Sequence, residues 1–246
     1  MIPVKQEGNV FSQELCIPCY QTDSDGLLKP TAFMDIAQEI AYWAAEALGF
    51  GYGNLHIHHT AWVLARMHIR FMRPVRWRDA VTLFTWHKGT NGLFYLRDFL
   101  LRNSAGEIAI AATSSWVVID ELSRKMVRPD ALQQFLETGS AQDAIAEPAP
   151  KLIMPKDMEP AGEHIVCSSE IDINHHVNNV RYVAWALDCL PAEDTSSGHI
   201  QDIIVNFHKE TFEGEQIQLR TGSADGSIYV DGLLDDKSCF TVQIKS

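Results

Sequence analysis

E-I-D-I-N-H-H-V-N-N-V-R-Y-V-A-W-A-L-D-C-L, residues 170–190, sets a polar cluster directly before a helix start. Asp172, Asn174 and His176 fall at alternate positions. Side chains of an extended segment point alternately to opposite faces. The spacing therefore predicts a carboxylate, an amide and an imidazole on one side of the backbone, roughly 6 to 7 Å apart. Asn178 or Asn179 suits an N-cap, because a short polar side chain can accept a hydrogen bond from the first unpaired N–H groups of a helix. Val180, Val183, Ala184, Leu187 and Leu190 recur at helical spacing until Pro191 ends the run. Helix starts carry partial positive charge, so amides just beyond His176 are placed to hold an oxygen that gathers negative charge. A bare D-x-N-x-H is more often a cap or turn; the longer string points to carbonyl chemistry.

Outward from this stretch, an older pattern emerges. Leu15 to Tyr20 reads as a strand and Asp23 to Gly26 as a turn. Pro30 then opens a helix whose apolar stripe (Phe33, Ile36, Ala37, Ile40, Ala41, Ala44, Ala47, Leu48) stops at Gly49. From Ala61 the period becomes two: Val63, Ala65, Met67, Ile69 and Phe71 face one way, and Leu64, Arg66, His68 and Arg70 the other. Strands follow at Val81 to His87, Leu93 to Leu101 and Glu107 to Ile119, with Asn91-Gly92 and Asn103 to Gly106 as hairpin turns. One helix followed by antiparallel strands is an α+β layer. Gln133 to Glu163, broken by Pro148, Pro150, Pro155 and Pro160, reads as a linker.

Beyond the linker the order repeats: a strand near His164 to Glu170, the helix from Asn179, then strands at Ile203 to His208, Gln216 to Leu219, Ile228 to Leu233 and Cys239 to Ile244. A shift of 147 lays Asp25 on Asp172, and a shift of 136 lays Phe71 on Phe207, Val81 on Ile217 and Leu83 on Leu219. The longer Gly49 to Thr60 loop accounts for the difference. Such self-similarity predicts a duplicated unit, 1–136 and 163–246, joined by 137–162.

The chain of 246 residues, 46% of them apolar and 21% charged, suffices for a substantial core. A net charge of -12 argues against nucleic acid as a general partner. Between Ala61 and Asp130, however, 11 Lys and Arg face six Asp and Glu, a local excess of five positive charges. No apolar run reaches signal-peptide or membrane-spanning length, which leads to the expectation of a cytoplasmic protein. Five irregularly spaced cysteines, Cys16-x-x-Cys19 included, do not form a disulfide framework. His56, His58 and His59 have no carboxylate or thiol beside them, so that loop is expected to be a surface or pocket rim and no metal is expected.

The string D-x-N-x-H-x-N-N resembles the motif of the acyl-acyl carrier protein thioesterases, a family of hotdog-fold enzymes, and the resemblance covers nearly the whole chain. It implies a tandem (double) hotdog, each an antiparallel sheet wrapped around one long helix. Asn206-Phe207-His208-Lys209-Glu210-Thr211 is similar to the family's second catalytic segment and puts Glu210 on its catalytic glutamate. Asp172, Asn174, His176 and Glu210 are then implied to form one network, needing no metal or organic cofactor. In it His176 and Glu210 activate water, Asn174 with helix-start amides holds the carbonyl or the water, and Asp172 orients Asn174. A neutral imidazole, titrating near pH 6.5, suits the base. Many plant members carry Cys after that glutamate; here Thr211 leaves water and Glu210 to act.

In the first half the counterpart of Glu210 is Pro74, and Asp25-Gly26-Leu27-Leu28 lacks Asn and His. Only the C-terminal half is expected to carry chemistry, the N-terminal half supplying the acyl pocket. The implied partner is acyl carrier protein bearing a phosphopantetheine-linked chain, which is acidic. Arg66, Arg70, Arg73 and Arg76, with His68 and Arg78, are the candidate basic surface for it. The expected reaction releases free fatty acid. Its rivals are an acyl-CoA thioesterase and a non-catalytic hotdog that senses acyl thioesters. A homodimer is compatible with the sequence, although two hotdogs in one chain already mimic a dimer.

Overall fold

Pro30 opens helix α1 (Pro30–Ala47) at its first turn, where a missing N–H costs nothing, and the stripe from Phe33 to Ala44 turns inward, with Phe33, Ile40 and Ala44 fully buried. The computed structural model describes residues 4–57, 59–127, 142–191 and 196–246. Around α1 and a second long helix, α3 (Asn179–Asp188), wraps a single antiparallel sheet. Its strands are β1 (Lys5–Glu7), β2 (Val10–Cys16), β3 (Thr60–Phe71), β4 (Ala80–Asn91), β5 (Phe94–Asn103), β6 (Ile108–Asp120), β7 (Met126–Val127), β8 (Glu159–Ile165), β9 (Asp202–Phe207), β10 (Gln216–Ala224), β11 (Ser227–Leu234) and β12 (Lys237–Lys245).

Outward from the centre the strand order is β3-β6-β5-β4-β2 in one half and β9-β12-β11-β10-β8 in the other. The halves join where β3 pairs with β9, and His68 lies opposite Ile204, its own counterpart under the shift of 136. A pseudo-twofold axis thus passes through that pair. This is the double hotdog that the resemblance implied. One apolar core, running from Phe33 and Leu83 to Val183 and Phe240, is shared by both halves. No helix among the described residues is long and apolar enough to cross a membrane.

Several expectations need correction. The pairing of the loops before the helices is a shift of 149 rather than 147. Asp23 N donates to Leu27 O at 2.8 Å as Asp172 N does to His176 O at 3.0 Å, and Gly26 N to Asp23 O at 3.1 Å as His175 N does to Asp172 O at 3.0 Å. Asp23, not Asp25, is therefore the partner of Asp172. The shift of 136 holds: Leu28 N reaches Val75 O at 2.8 Å, and Val177 N reaches Thr211 O at 2.9 Å. The Gly49 to Thr60 loop contains a short helix, α2 (Tyr52–Ile57). His58 lies outside the described residues.

Strict alternation along β3 fails at Ala65, where a bulge between Leu64 and Arg66 turns both Leu64 and Met67 inward. His68, expected on the basic outer face, is only 9% exposed. The segment Leu15 to Tyr20 is half strand, half 3-10 turn (Cys19–Gln21), and the same holds after β8, with a 3-10 turn at Ser168–Glu170. β8 already begins at Glu159, inside the stretch read as linker.

Residues 142–152 of that stretch lie across the sheet's outer face. Trp86 Nε1 donates to Gln142 O at 2.7 Å, Lys88 Nζ to Ile145 O at 2.6 Å, and Ala144 N to the buried Asp98 carboxylate at 2.7 Å. Asn206 holds the far end, accepting from Leu152 N at 2.8 Å and donating to Pro150 O at 2.9 Å. Each satisfied group removes a cost that a bare buried amide or carboxylate would carry.

Candidate active site

The stretch from Ile171 to Val177 is not extended. A backbone bridge between its ends closes it into a reversing loop. Asp172 Oδ1 accepts from Asn174 N at 2.8 Å, a side chain mimicking a backbone turn, and Asp172 Oδ2 lies 3.4 Å from Asn174 Nδ2. His175 sits at the apex with φ 64, where the first half has Gly26 at φ 72. This left-handed residue reverses the chain and delivers His176 to the head of α3. Asn178 is the N-cap, its Oδ1 accepting from Val180 N at 2.9 Å. Asn178 N donates to Glu170 O, and Arg181 N to Asn178 O, both at 2.9 Å. Among the described residues the Asn179 N–H makes no hydrogen bond, so one helix-start donor is free to meet a ligand.

Glu210 follows the end of β9 and comes to His176: Oε1 lies 3.8 Å from His176 Nε2, and both side chains are about a quarter exposed. Too long for a direct hydrogen bond, this separation lets one water beside the two groups hydrogen-bond to both at about 2.8 Å. Thr211 beside it is fully buried. Its hydroxyl meets Tyr182 Oη at 2.8 Å, and its N–H donates to that oxygen at 3.0 Å. Burial pushes the Tyr182 phenol up to about 12, so it remains a neutral anchor tying the Glu210 loop to α3. Glu170 anchors the other side, accepting from Cys167 N, His164 Nε2 and Trp185 Nε1 at 2.8 Å each. Burial alone would raise its pKa, but these donors together hold it below the usual range.

Arg124 was not singled out from the sequence, yet its Nη2 donates to Glu210 Oε2 at 2.6 Å. The strand registers explain the contact. Thr60 at the start of β3 pairs with Asp120 at the end of β6, while β9 runs antiparallel to β3, so the turn after β6 lies beside the exit of β9. Asp120 Oδ1 holds that turn by accepting from Ser123 N at 2.7 Å, and Arg124 takes φ 56 within it. A local excess of Arg in the sequence signalled cations here without saying which one arrives.

An apolar cavity opens beside the helix start. Met34, Ala37 and Gln38 of α1, Leu64 and Met67 of β3, Phe99 of β5, Ser114 and Trp116 of β6, and Asn179 and Val180 of α3 line it. The four arginines proposed as a docking surface do not gather at this mouth. Arg66 lies opposite Asn206, near the exit of β9, with its guanidinium 5.0 Å from the centre of the Phe94 ring. Arg70 lies opposite Asp202, about 13 Å further along the strand, and donates to its carboxylate at 3.1 Å. Arg73 pairs with Glu107 at 3.0 Å, and Arg73 and Arg76 follow the far end of β3, beside the loop that lacks His and Glu.

Two sequence profiles match the chain: the acyl-ACP thioesterase N-terminal domain over residues 8–134 and the acyl-ACP thioesterase C-terminal domain over residues 156–236. A chloroplastic palmitoyl-acyl carrier protein thioesterase of Gossypium hirsutum is 31% identical over 242 residues, covering 91% of this chain and 57% of that protein. The chain spans only 53 to 64% of the length of the plant relatives it matches. The 12:0-ACP thioesterase of Umbellularia californica superimposes with a TM-score of 0.86 at 22% identity, covering 98% of each chain. An acyl-ACP thioesterase of Bacteroides thetaiotaomicron gives 0.85 at 20% identity, covering 96% of this chain and 97% of that one.

The loop geometry makes a prediction. His175→Gly should change the unfolding free energy by less than about 1 kcal/mol, whereas His175→Val should cost about 1–2 kcal/mol because a branched Cβ fits the left-handed region poorly. Chemical denaturation of the two variants measures the ordering.

Proposed function

The chain belongs to the acyl-ACP thioesterase family, and we propose that it hydrolyses the thioester of fatty acyl-acyl carrier protein to free fatty acid and carrier thiol. The observation that carries this reading is the His176 to Glu210 gap of 3.8 Å beside a helix start with a free amide, at the edge of an apolar cavity. A water bridging the two groups gives up a proton to the His176–Glu210 pair as its oxygen attacks the thioester carbon. The carbonyl oxygen becomes an oxyanion, which the Asn179 N–H and Asn174 amide are suited to hold. Collapse breaks the C–S bond, and the proton held by the pair passes to the leaving thiolate. Asp172 keeps Asn174 in place. Arg124 holds the second oxygen of Glu210 and so fixes which oxygen faces the water. Buried Thr211, spent on Tyr182, has no nucleophilic part in this scheme.

The division of labour belongs to the same proposal. Residues 163–246 carry the reacting groups, 1–136 the pocket and Arg124, and 137–162 the connection. In the first half Leu27, Asp25 and Pro74 stand where His176, Asn174 and Glu210 stand in the second, which leaves that loop without a base. Hydrolysis of acyl-CoA is the alternative, separated by assaying both thioesters at equal chain length. A silent acyl sensor is excluded by any turnover that depends on His176.

Four outcomes are expected. His176→Ala and Glu210→Gln each lower kcat at least about 100-fold with unfolding unchanged, and full activity in either removes the assignment. Arg124→Met lowers kcat roughly tenfold, with partial recovery in Arg124→Lys, since the carboxylate loses its fixed orientation. Acyl carrier protein docks at the mouth, so reversing Arg66 and Lys209 to Glu raises KM for carrier-bound chains at least about fivefold and leaves acyl-CoA unaffected. Reversing Arg73 and Arg76 changes neither KM by more than about twofold, because both lie past the opposite end of β3.

A further inference from the structure

Past the cavity, on the same inner face of the sheet, lies a polar cluster that the reaction above does not use. Arg97 on β5 is directly opposite His87 on β4 and directly opposite Ser114 on β6. Ser114 lines the cavity, as does Phe99, two residues beyond Arg97 and hence on its face. Arg97 is 7% exposed and His87 5%.

The guanidinium is buried without a carboxylate. Among the described residues its one side-chain hydrogen bond runs from Nη1 to Thr85 Oγ1 at 3.2 Å, which draws the head towards the Phe99 end, since Thr85 is the cross-strand partner of Phe99. Desolvation lowers its pKa to about 10, leaving it a cation at neutral pH. His87 Nδ1 lies 2.9 Å from Leu96 O. A carbonyl can only accept, so the ring proton is on Nδ1 and Nε2 keeps a bare lone pair. That Nε2 is buried with no partner among the described residues. Burial, and then the Arg97 charge, hold the imidazole at about 4, so it stays neutral.

The neighbouring hydroxyls do not fill the need: Tyr95, whose ring lies 6.3 Å from that of His87, leaves Nε2 without a partner among the described residues. Thr85 Oγ1 already donates to Asp98 O at 2.9 Å, and Ser114 Oγ donates to Arg97 O at 3.0 Å while accepting from Trp116 Nε1 at 2.8 Å. What remains is a cationic donor with capacity beyond its one bond and, on the residue directly across the strands, a neutral acceptor, a pairing that one hydroxyl satisfies by accepting from the first and donating to the second. A methyl terminus would leave both bare, at the cost such groups carry when buried. A carboxylate would suit Arg97 but set its lone pairs against Nε2. Across the strand order β3-β6-β5-β4 the pair lies about 10 to 14 Å from β3, on the side away from the exit of β9.

We propose that Arg97 and His87 form a subsite for a hydroxyl borne on the acyl chain far from its thioester, making hydroxylated fatty acyl thioesters the preferred substrate class. The inference rests on the thioesterase reading for the chain that enters the cavity, but not for its test. Wild type is assayed on carrier protein loaded with saturated chains of graded length, plain or with one hydroxyl moved from mid-chain to the end. In parallel the corresponding free acids are titrated against thermal unfolding. At least one hydroxylated chain should exceed the plain chain of equal length by about tenfold in kcat/KM, and its free acid should raise the melting temperature more.

In Arg97→Met and in His87→Phe the advantage should shrink to less than about twofold. A wild type that handles every hydroxylated chain no better than the plain one overturns the proposal. So does an advantage that survives both substitutions, or a stronger preference for a terminal carboxylate. If no thioester is cleaved, the hydrolytic reading fails and the free-acid titration alone decides the subsite. If the variants unfold, the wild-type comparison decides it.

Discussion

A carboxylate accepting the amide two residues on closes the reversing loop ahead of each long helix. Asp23 Oδ1 takes Asp25 N at 3.0 Å and Leu27 N at 2.9 Å; Asp172 Oδ1 takes Asn174 N at 2.8 Å. Because the bond is local, it fixes where α1 and α3 begin whatever the side chains around the loop are. The duplicated scaffold can therefore keep one geometry twice and change its chemistry in only one copy. Three positions mark the difference: Asp25 against Asn174, Leu27 against His176, Pro74 against Glu210. The catalytic assignment of those residues is our proposal, but the equivalence of the loops is a matter of matching hydrogen bonds.

Strands, hairpins and the helix starts were legible because they rest on local pattern. Alternation marks a strand with one wet face, Asn91-Gly92 marks a tight turn, and Pro30 and Asn178 mark helix starts. The errors share a cause. The bulge at Ala65 puts Leu64 and Met67 on one face, and nothing in the composition of β3 distinguishes it from a regular strand. The two-residue slip between Asp25 and Asp23 arose from matching a residue type where the backbone, not the side chain, is what repeats. Asp172, Asn174 and His176 were read as one face of a strand, yet they meet because the chain reverses.

Arg124 was illegible for a different reason. It lies 86 residues from Glu210, and only the registers of β6 on β3 and β3 on β9 bring the two together. Buried polar groups were equally silent. Arg97, Asp98 and Lys88 carry charges of the kind that usually stay in water, while the folded chain covers Asp98 with the residue 142–152 strap and turns Arg97 inward. Asp98 shows what that costs. Burial pushes its carboxyl up despite Lys88 at 3.3 Å and the Ala144 amide, so the strap's hydrogen bonds offset desolvation only in part.

Joining the halves through β3 and β9 has a consequence for the site that duplication alone would not give. An antiparallel pairing about a pseudo-twofold axis brings the start of one central strand to the end of the other. The residue that follows β9, Glu210, thus lands beside the turn that leaves β6, where Arg124 meets it. Pocket walls come mainly from α1, β3, β5 and β6, while the helix start that faces them is α3. Neither half encloses the cavity alone. The first loop, with Leu27 where the second has His176, keeps the same closure because Asp23 still holds it.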